Sequence, residues 1–231
     1  METKGLLFIW ADVDPRYREE YRKWHNCEHM TERVTTPGFY AGRRYQGIGD
    51  APQFLMTYET VDAKVFSSEP YLYKKNHPSP WTSEIIRHFG NNGRAILSLV
   101  ASVGQNAPTE TPYIFIARFN PEKGNKKGVV KWFKERHLPE ISSLQGFFRG
   151  RLYERDEGIS NIVTTEQKIS GSSTGQHDLF AWYDLASFDL PAFKKLEEIY
   201  KEMGLSQKLL RDLKTESYWL DFALYAPEVK R

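Results

Sequence analysis

Residues 24–45 read W-H-N-C-E-H-M-T-E-R-V-T-T-P-G-F-Y-A-G-R-R-Y, and residues 132–153 read W-F-K-E-R-H-L-P-E-I-S-S-L-Q-G-F-F-R-G-R-L-Y. The second stretch repeats the first. Trp24 matches Trp132, His29 matches His137, Glu32 matches Glu140, and Gly38-Phe39 matches Gly146-Phe147. Gly42-Arg43 matches Gly150-Arg151, and Tyr45 matches Tyr153. These eight identities all lie 108 positions apart without a gap, and several fall on rare residue types, so the chain is a tandem duplication. A repeat of this length is far too long for a solenoid unit and instead marks two domain-sized halves. The halves are expected at residues 1–104 and 112–231, joined by a linker over 105–112.

Working outward, each half predicts the same order of elements. Leu6 to Val13 is an apolar β-type run, and Asp14-Pro15 after it suits a helix cap followed by a first-turn proline. Tyr17, Tyr21, Trp24, Glu28 and Thr31 recur at helical spacing, predicting a helix over 15–35 that Pro37-Gly38 stops. Phe39 to Gln46 follows as a strand with Arg43 and Tyr45 on one face and Arg44 on the other. A third strand over 54–60, an irregular helical stretch broken at Pro70, Pro78 and Pro80, and a fourth strand over 94–103 complete the half. The second half predicts strands at 113–119, 147–154, 179–185 and 218–225, with helices at 127–144 and 190–203. Tyr183-Asp184 echoes Tyr58-Glu59. The polar, Gly- and Ser-rich stretch 158–176 has no counterpart in the first half and reads as a lid or a mobile surface loop. Each half is therefore β-α-β-β-α-β, the ferredoxin-like unit, which leaves one face of its sheet bare. Two such halves bury their bare faces against each other, an α+β pseudo-dimer within one chain.

Composition narrows the function classes. Hydrophobic residues make up 40% and aromatics 14%, enough for two cores and too much for disorder. The 32 basic and 30 acidic residues are interspersed, with no stripe to track phosphates, so no nucleic-acid partner is expected. The single Cys27 precludes an internal disulfide, and the apolar run near the start is too short to span a membrane and lacks the small-residue ending of a cleaved leader. A soluble cytoplasmic protein with no membrane association is the expectation.

The order of strand, W-x4-H helix, P-G-F turn and G-R-x-Y strand resembles the dimeric α/β-barrel superfamily, in particular its EthD-like branch with two tandem repeats. That resemblance implies an intramolecular dimeric α/β barrel. It also implies an enzyme of the cofactor-independent kind, a lyase or isomerase of secondary metabolism. The reaction would be proton transfer next to a carbonyl of a small aromatic or polyketide-like substrate. In the isomerase branch a histidine eight residues before Pro-Gly transfers the proton, which implies the same role for His29. In the cyclase branch a histidine and a tyrosine act from the second helical segment, where this chain has His77 before Trp81.

The residues themselves support this chemistry. An imidazole takes and returns protons near neutrality. Arg43 is suited to hold a carboxylate or enolate with its planar fork, or to pair with Glu32. Tyr45 is suited to donate to a developing oxyanion. The expected set is thus His29, His77 and Tyr45 as catalytic groups, with Arg43, Glu32, Tyr58, Trp81 and His137 lining the substrate site. No cofactor and no metal are implied. One competing pattern is His25-Asn26-Cys27-Glu28-His29, which fits H-x-x-E-H and would put His25 and His29 on one helix face for a hydrolytic metal. The second copy argues against it, since Phe133 replaces His25 and Arg136 replaces Glu28. A non-catalytic small-molecule-binding protein is the further alternative, and a homodimer of the pseudo-dimer is left open.

Overall fold

The computed structural model describes residues 3–104, 110–206 and 210–226, so residues 105–109 of the expected linker lie outside the described residues. In chain order the first half contains β1 (Gly5–Val13), α1 (Arg18–Trp24), a π-helical turn (His25–His29) and α2 (Met30–Val34). These are followed by β2 (Phe39–Ile48), β3 (Phe54–Thr60), α3 (Glu69–Asn76), α4 (Pro80–Ile86) and β4 (Phe89–Gly104). The second half contains β5 (Tyr113–Pro121), α5 (Lys126–Trp132), a second π-helical turn (Phe133–His137), α6 (Leu138–Ser142) and β6 (Phe147–Arg155). It continues with α7 (Glu157–Ser160), α8 (Thr165–Ser170), β7 (Ser173–Thr174), β8 (Leu179–Leu185), α9 (Pro191–Ser206) and β9 (Leu210–Tyr225). No helix among the described residues is long and apolar enough to cross a membrane.

The local reasons are visible in the sequence. Asp14 caps its helical turn by accepting from the backbone N–H of Arg16 at 3.0 Å. The expected breaks at Pro70 and Pro80 are present: the chain is extended at Ser68 and Ser79, and the two prolines sit in the first turns of α3 and α4, where a missing N–H costs nothing. The repeated glycines have two separate jobs. Gly38 and Gly146 take φ of +90° and +93° at the turn from helix to strand. Gly42 has no such φ, but a Cβ there would meet the Met30 sulfur at 2.1 Å, so glycine is what lets α2 lie close on the sheet.

Eight strands close into a barrel in the order β1-β3-β2-β9-β5-β8-β6-β4, with β4 returning to β1 and β7 added alongside β4. Each half supplies four adjacent strands. The seams between halves are antiparallel, with Gln46 opposite Trp219 on one side and Ser102 opposite Arg151 on the other. Alternation then divides the core three ways. Leu6, Phe8, Trp10, Leu55, Ile116, Phe180 and Trp182 fill the barrel. Leu7, Met56, Tyr58 and their neighbours face the first half's helices, and Phe115, Leu152, Tyr183 and theirs face the second half's. The bare faces of the two ferredoxin-like sheets are thus buried on each other, and β1, β3, β5 and β8 are covered on both sides, which explains unbroken apolar runs such as β1.

The stretch after β6 differs from the open loop the sequence suggests. It folds into α7, α8 and β7, and β7 lies parallel to β4 with Ser173 opposite Gly93. The second half thereby sends a short helical flap over the helices of the first.

Candidate functional site

The site lies in the first half, between the outer face of its sheet and the helices covering it. Ile9, Trp24, Met56, Ile86 and Phe89 form an apolar wall, and His29, Lys75, Arg94 and Glu166 line the polar side. Between them is a cavity of about 50 Å³, room for a few water molecules. His29 leans against Trp24 with ring centroids 4.3 Å apart, and its Nδ1 is buried without a hydrogen-bond partner. Burial, then the charge of Arg33 and the neighbouring His25 and Lys75, holds its pKa well below 6.5. His29 is therefore a neutral imidazole at neutral pH.

Glu166, on α8 of the flap, reaches into this cavity. One carboxylate oxygen accepts from Arg33 and the other from Lys75, and all three side chains are buried. Burial alone would raise the Glu166 pKa, but the two cations outweigh it and keep the carboxylate ionised. Burial takes Lys75 down to about 8 despite that carboxylate. The flap is tied down mainly by polar contacts. Arg94 donates to the carbonyls of Ser160 and Ile162 and to Gln167. Asn76 accepts from the Thr165 N–H at 3.0 Å, and Asn92 donates to the Ser170 carbonyl at 3.0 Å.

The expected residues are not gathered in one place. Arg43 and Tyr45 point into the barrel, on the opposite face of the sheet from His29. Gly42 occupies the helix-facing position on β2, and period-two alternation sends Arg43 the other way. Arg43 pairs there with Glu59 at 3.3 Å and Glu110 at 2.8 Å, and Arg151 pairs with Glu59 at 3.0 Å and Asp184 at 2.7 Å. The repeated G-R-x-Y thus builds a charged belt inside the barrel and does not join Arg43 or Tyr45 to His29. His77 does not join either. It is exposed at the end of α3, stacked on Tyr73, with Nδ1 2.8 Å from the Tyr73 carbonyl oxygen. Trp81 packs at the edge of the first half's core, and Glu32 is half-buried with its carboxylate 3.1 Å from Arg33.

The H-x-x-E-H reading is corrected by the π-helical turn that spans it. Arg44 can only donate, so the Nδ1 of His25 accepts from it at 3.3 Å, and Nε2–H is left to the Tyr58 hydroxyl at 3.3 Å. Glu28 turns to α4, accepting from Ser79 at 2.5 Å and Thr82 at 3.1 Å. His25 and Glu28 are thus committed elsewhere and do not share a ligand set with His29. Ligand atoms of His29, Glu32 and Glu166 do come within 4.8 Å of one another. With Arg33 and Lys75 already on Glu166, a cation there would add charge to a site whose carboxylate is balanced.

The second copy of the site is closed. His137 is buried, its Nε2 lies 2.6 Å from the Tyr183 hydroxyl, and that hydroxyl lies 2.6 Å from the hydroxyl of Tyr200. Tyr183 corresponds to Tyr58, and the same step of 17 residues leads from Tyr58 to Lys75 and from Tyr183 to Tyr200. Ile141 stands where the first copy has Arg33. Both cations of the first cleft are thus replaced, and the helix-side space is filled by a tyrosine and an isoleucine. A much larger groove of about 930 Å³ opens beside Trp10, but it is wide and polar. Its buried charges are paired, Arg118 with Glu216, and Arg118 stacks 4.4 Å over the Trp10 ring.

Sequence reasoning missed Lys75, Arg33, Arg94 and Glu166. Lys75 and Arg33 carried a usable signal, being charged positions whose repeat partners are not. Glu166 carried none.

No family model and no curated protein matches the sequence. Solved structures do match in three dimensions. An anthrone oxidase-like protein superposes with a TM-score of 0.66 at 9% identity, over 99% of this chain and 95% of that one. A proposed monooxygenase from Fusobacterium nucleatum superposes at 0.59 and 10% identity, over 97% of this chain and 96% of that one. A chlorite dismutase variant from Candidatus Nitrospira defluvii superposes at 0.58 and 9% identity, over 96% and 93%. At such identities the likeness concerns architecture alone. The fold of this chain is the dimeric α/β barrel, with both halves of the barrel in one polypeptide.

Proposed function

We propose that the first-half cavity is the active site of a cofactor-independent enzyme that transfers a proton next to a carbonyl of a small aromatic or polyketide-like molecule. The observation that carries this reading is a buried neutral histidine with an unpartnered ring nitrogen, facing an apolar aromatic wall beside a buried lysine. His29 accepts the proton from carbon, and the electron pair moves into the carbonyl to give an enolate. Lys75 stabilises that oxygen where charge develops, in a water-poor site where such a contact is strongest. An imidazolium beside Arg33 and Lys75 is disfavoured until the enolate forms, so the proton and the negative charge appear together. Returning the proton to another carbon gives isomerisation, and expelling a leaving group gives a lyase. The architecture of the matched structures supports a small-molecule enzyme. An anthrone-type carbon, the class named for one of them, lies across the ring from its carbonyl and is acidic by conjugation with it, since loss of its proton gives an aromatic oxyanion.

The test is exchange of the acidic carbon proton of anthrone for deuterium, followed by NMR. The wild-type protein is expected to accelerate exchange and His29→Gln to abolish the acceleration. Equal exchange by both proteins would remove His29 from the chemistry. Tight binding without any exchange would favour the non-catalytic binding protein.

A further inference from the structure

Glu166 is a carboxylate already seated between two buried cations. It is supplied by a flap from the other half, 133 residues along the chain from Arg33 and 91 from Lys75. Its two oxygens address one cation each, and beyond them lies the wall of Ile9, Trp24, Met56, Ile86 and Phe89. With Glu166 in place the cavity of about 50 Å³ is too small for any aromatic ring, so a substrate of that kind enters only when the flap withdraws. The flap is built to do so. Apart from the two Glu166 ion pairs, which a ligand carboxylate can replace, its ties are hydrogen bonds donated by Arg94 and Asn92 and one accepted by Asn76, and its apolar anchors Ile159 and Ile169 are only partly buried.

We propose that the Arg33–Lys75 pair is the receptor for the carboxylate of an aromatic carboxylic acid substrate, and that Glu166 is an internal stand-in which the substrate displaces. The inference rests on the proposed active site and names the substrate class it takes. Charge explains why a stand-in is needed. With Glu166 withdrawn and no ligand bound, Arg33, Lys75 and Arg94 would share one desolvated pocket, the arrangement that buried charges avoid. The flap carboxylate offsets part of that charge and keeps the empty site ordered. A substrate carboxylate replaces it charge for charge, and the wall receives the ring. Neutral aromatics displace Glu166 only by leaving the cations unpaired, so they enter more weakly than carboxylates; the pocket thus discriminates against them without excluding them.

The experiment is calorimetric titration of the full chain with 1-naphthoate and with its neutral analogue 1-naphthalenemethanol, on wild type, Glu166→Gln and Lys75→Met. An internal competitor lowers apparent affinity by the fraction of molecules in which it is displaced. Glu166→Gln is therefore expected to bind naphthoate about tenfold tighter or more, with no gain for the alcohol, and Lys75→Met to lose naphthoate binding. Unchanged affinity in Glu166→Gln, or an equal gain for both ligands, would overturn the proposal. Should Glu166→Gln fail to fold, hydrogen exchange on the wild-type protein decides. Naphthoate is expected to speed exchange across residues 157–170 while the strands of the first half stay protected, and unchanged or slower exchange in the flap would contradict displacement. Naphthoate binding reads the carboxylate receptor, and the deuterium exchange of anthrone reads the proton-transfer chemistry. The two can therefore fail separately.

Discussion

The two halves hold the same histidine, on the same π-helical turn, against the same tryptophan, and put it to different uses. Both rings keep a buried Nδ1 without a partner, but His29 lines a cavity shared with a lysine, with two arginines nearby. His137 closes a chain to Tyr183 and Tyr200 with contacts of 2.6 Å on each side of the first hydroxyl. The scaffold is common to both, so the difference lies in the replaceable positions around it: Arg33 against Ile141 and Lys75 against Tyr200. On the proposed reading, duplication left one copy to stabilise the fold and the other to hold buried, charged groups. The π-helical turn itself is not diagnostic of activity here, because both copies have it.

The largest expected effect breaks the comparison in catalysis. Loss of a general base typically costs 10²–10⁴-fold, so His29→Gln should lower the exchange rate by roughly that factor, while His137→Gln should leave the rate per folded molecule within about twofold. Comparable losses from both variants would mean that the second cleft also works.

Next comes stability. Arg33→Met makes the first copy resemble the second at one position but strands Glu166 with Lys75 alone. Removing one partner of a buried ion pair costs about 3–5 kcal/mol, and adding Glu166→Gln should recover part of it, measured by denaturant unfolding. A mild Arg33→Met on its own would show that the cluster is wet and weakly coupled.

Acid should act on both halves. His25 and His29 are held well below 6.5 by burial, and burial brings His137 down to about 4. Unfolded histidines take protons below pH 6.5 that these folded ones refuse. Their stabilising contribution is thus complete above 6.5 and is lost as pH falls toward 4, each histidine adding at most about 1.4 kcal/mol per pH unit. Replacing His137 by Phe should flatten that slope without touching the exchange rate. By the same sign, neutral His29 should keep activity from falling until well below pH 6.5, while loss of the Lys75 proton, whose pKa is about 8, should lower it as pH rises toward and past 8. The smallest effect is that of Tyr200→Phe, which removes one hydroxyl–hydroxyl bond and should cost about 1 kcal/mol with no change in turnover.

Much of the architecture was legible in the sequence. The constant offset exposed two halves, and alternation along the strands implied a sheet face for each half to bury. The candidate site was legible only in part. His29 stood out through its repeat, whereas Arg43 and Tyr45 were grouped with it on kinship of motif, although strand geometry sends neighbours of Gly42 to the opposite face. That face holds a charged belt in which Arg43 and Arg151 both pair with Glu59. Glu166 was out of reach for another reason. No periodicity links a residue on a polar excursion of one half to cations in the other, and only the closed barrel brings the flap over its neighbour. His77 looked promising beside Trp81, but α3 ends at Asn76 and leaves it on the surface.

The central claim is that the first cleft is the working one and the second its structural twin. The most direct test is a two-bond nitrogen–proton NMR spectrum of the six histidines in the presence and absence of 1-naphthoate. The account predicts that the ring signals of His29 move on binding while those of His137 stay fixed. Movement of His137, or binding that leaves His29 unmoved, would contradict it.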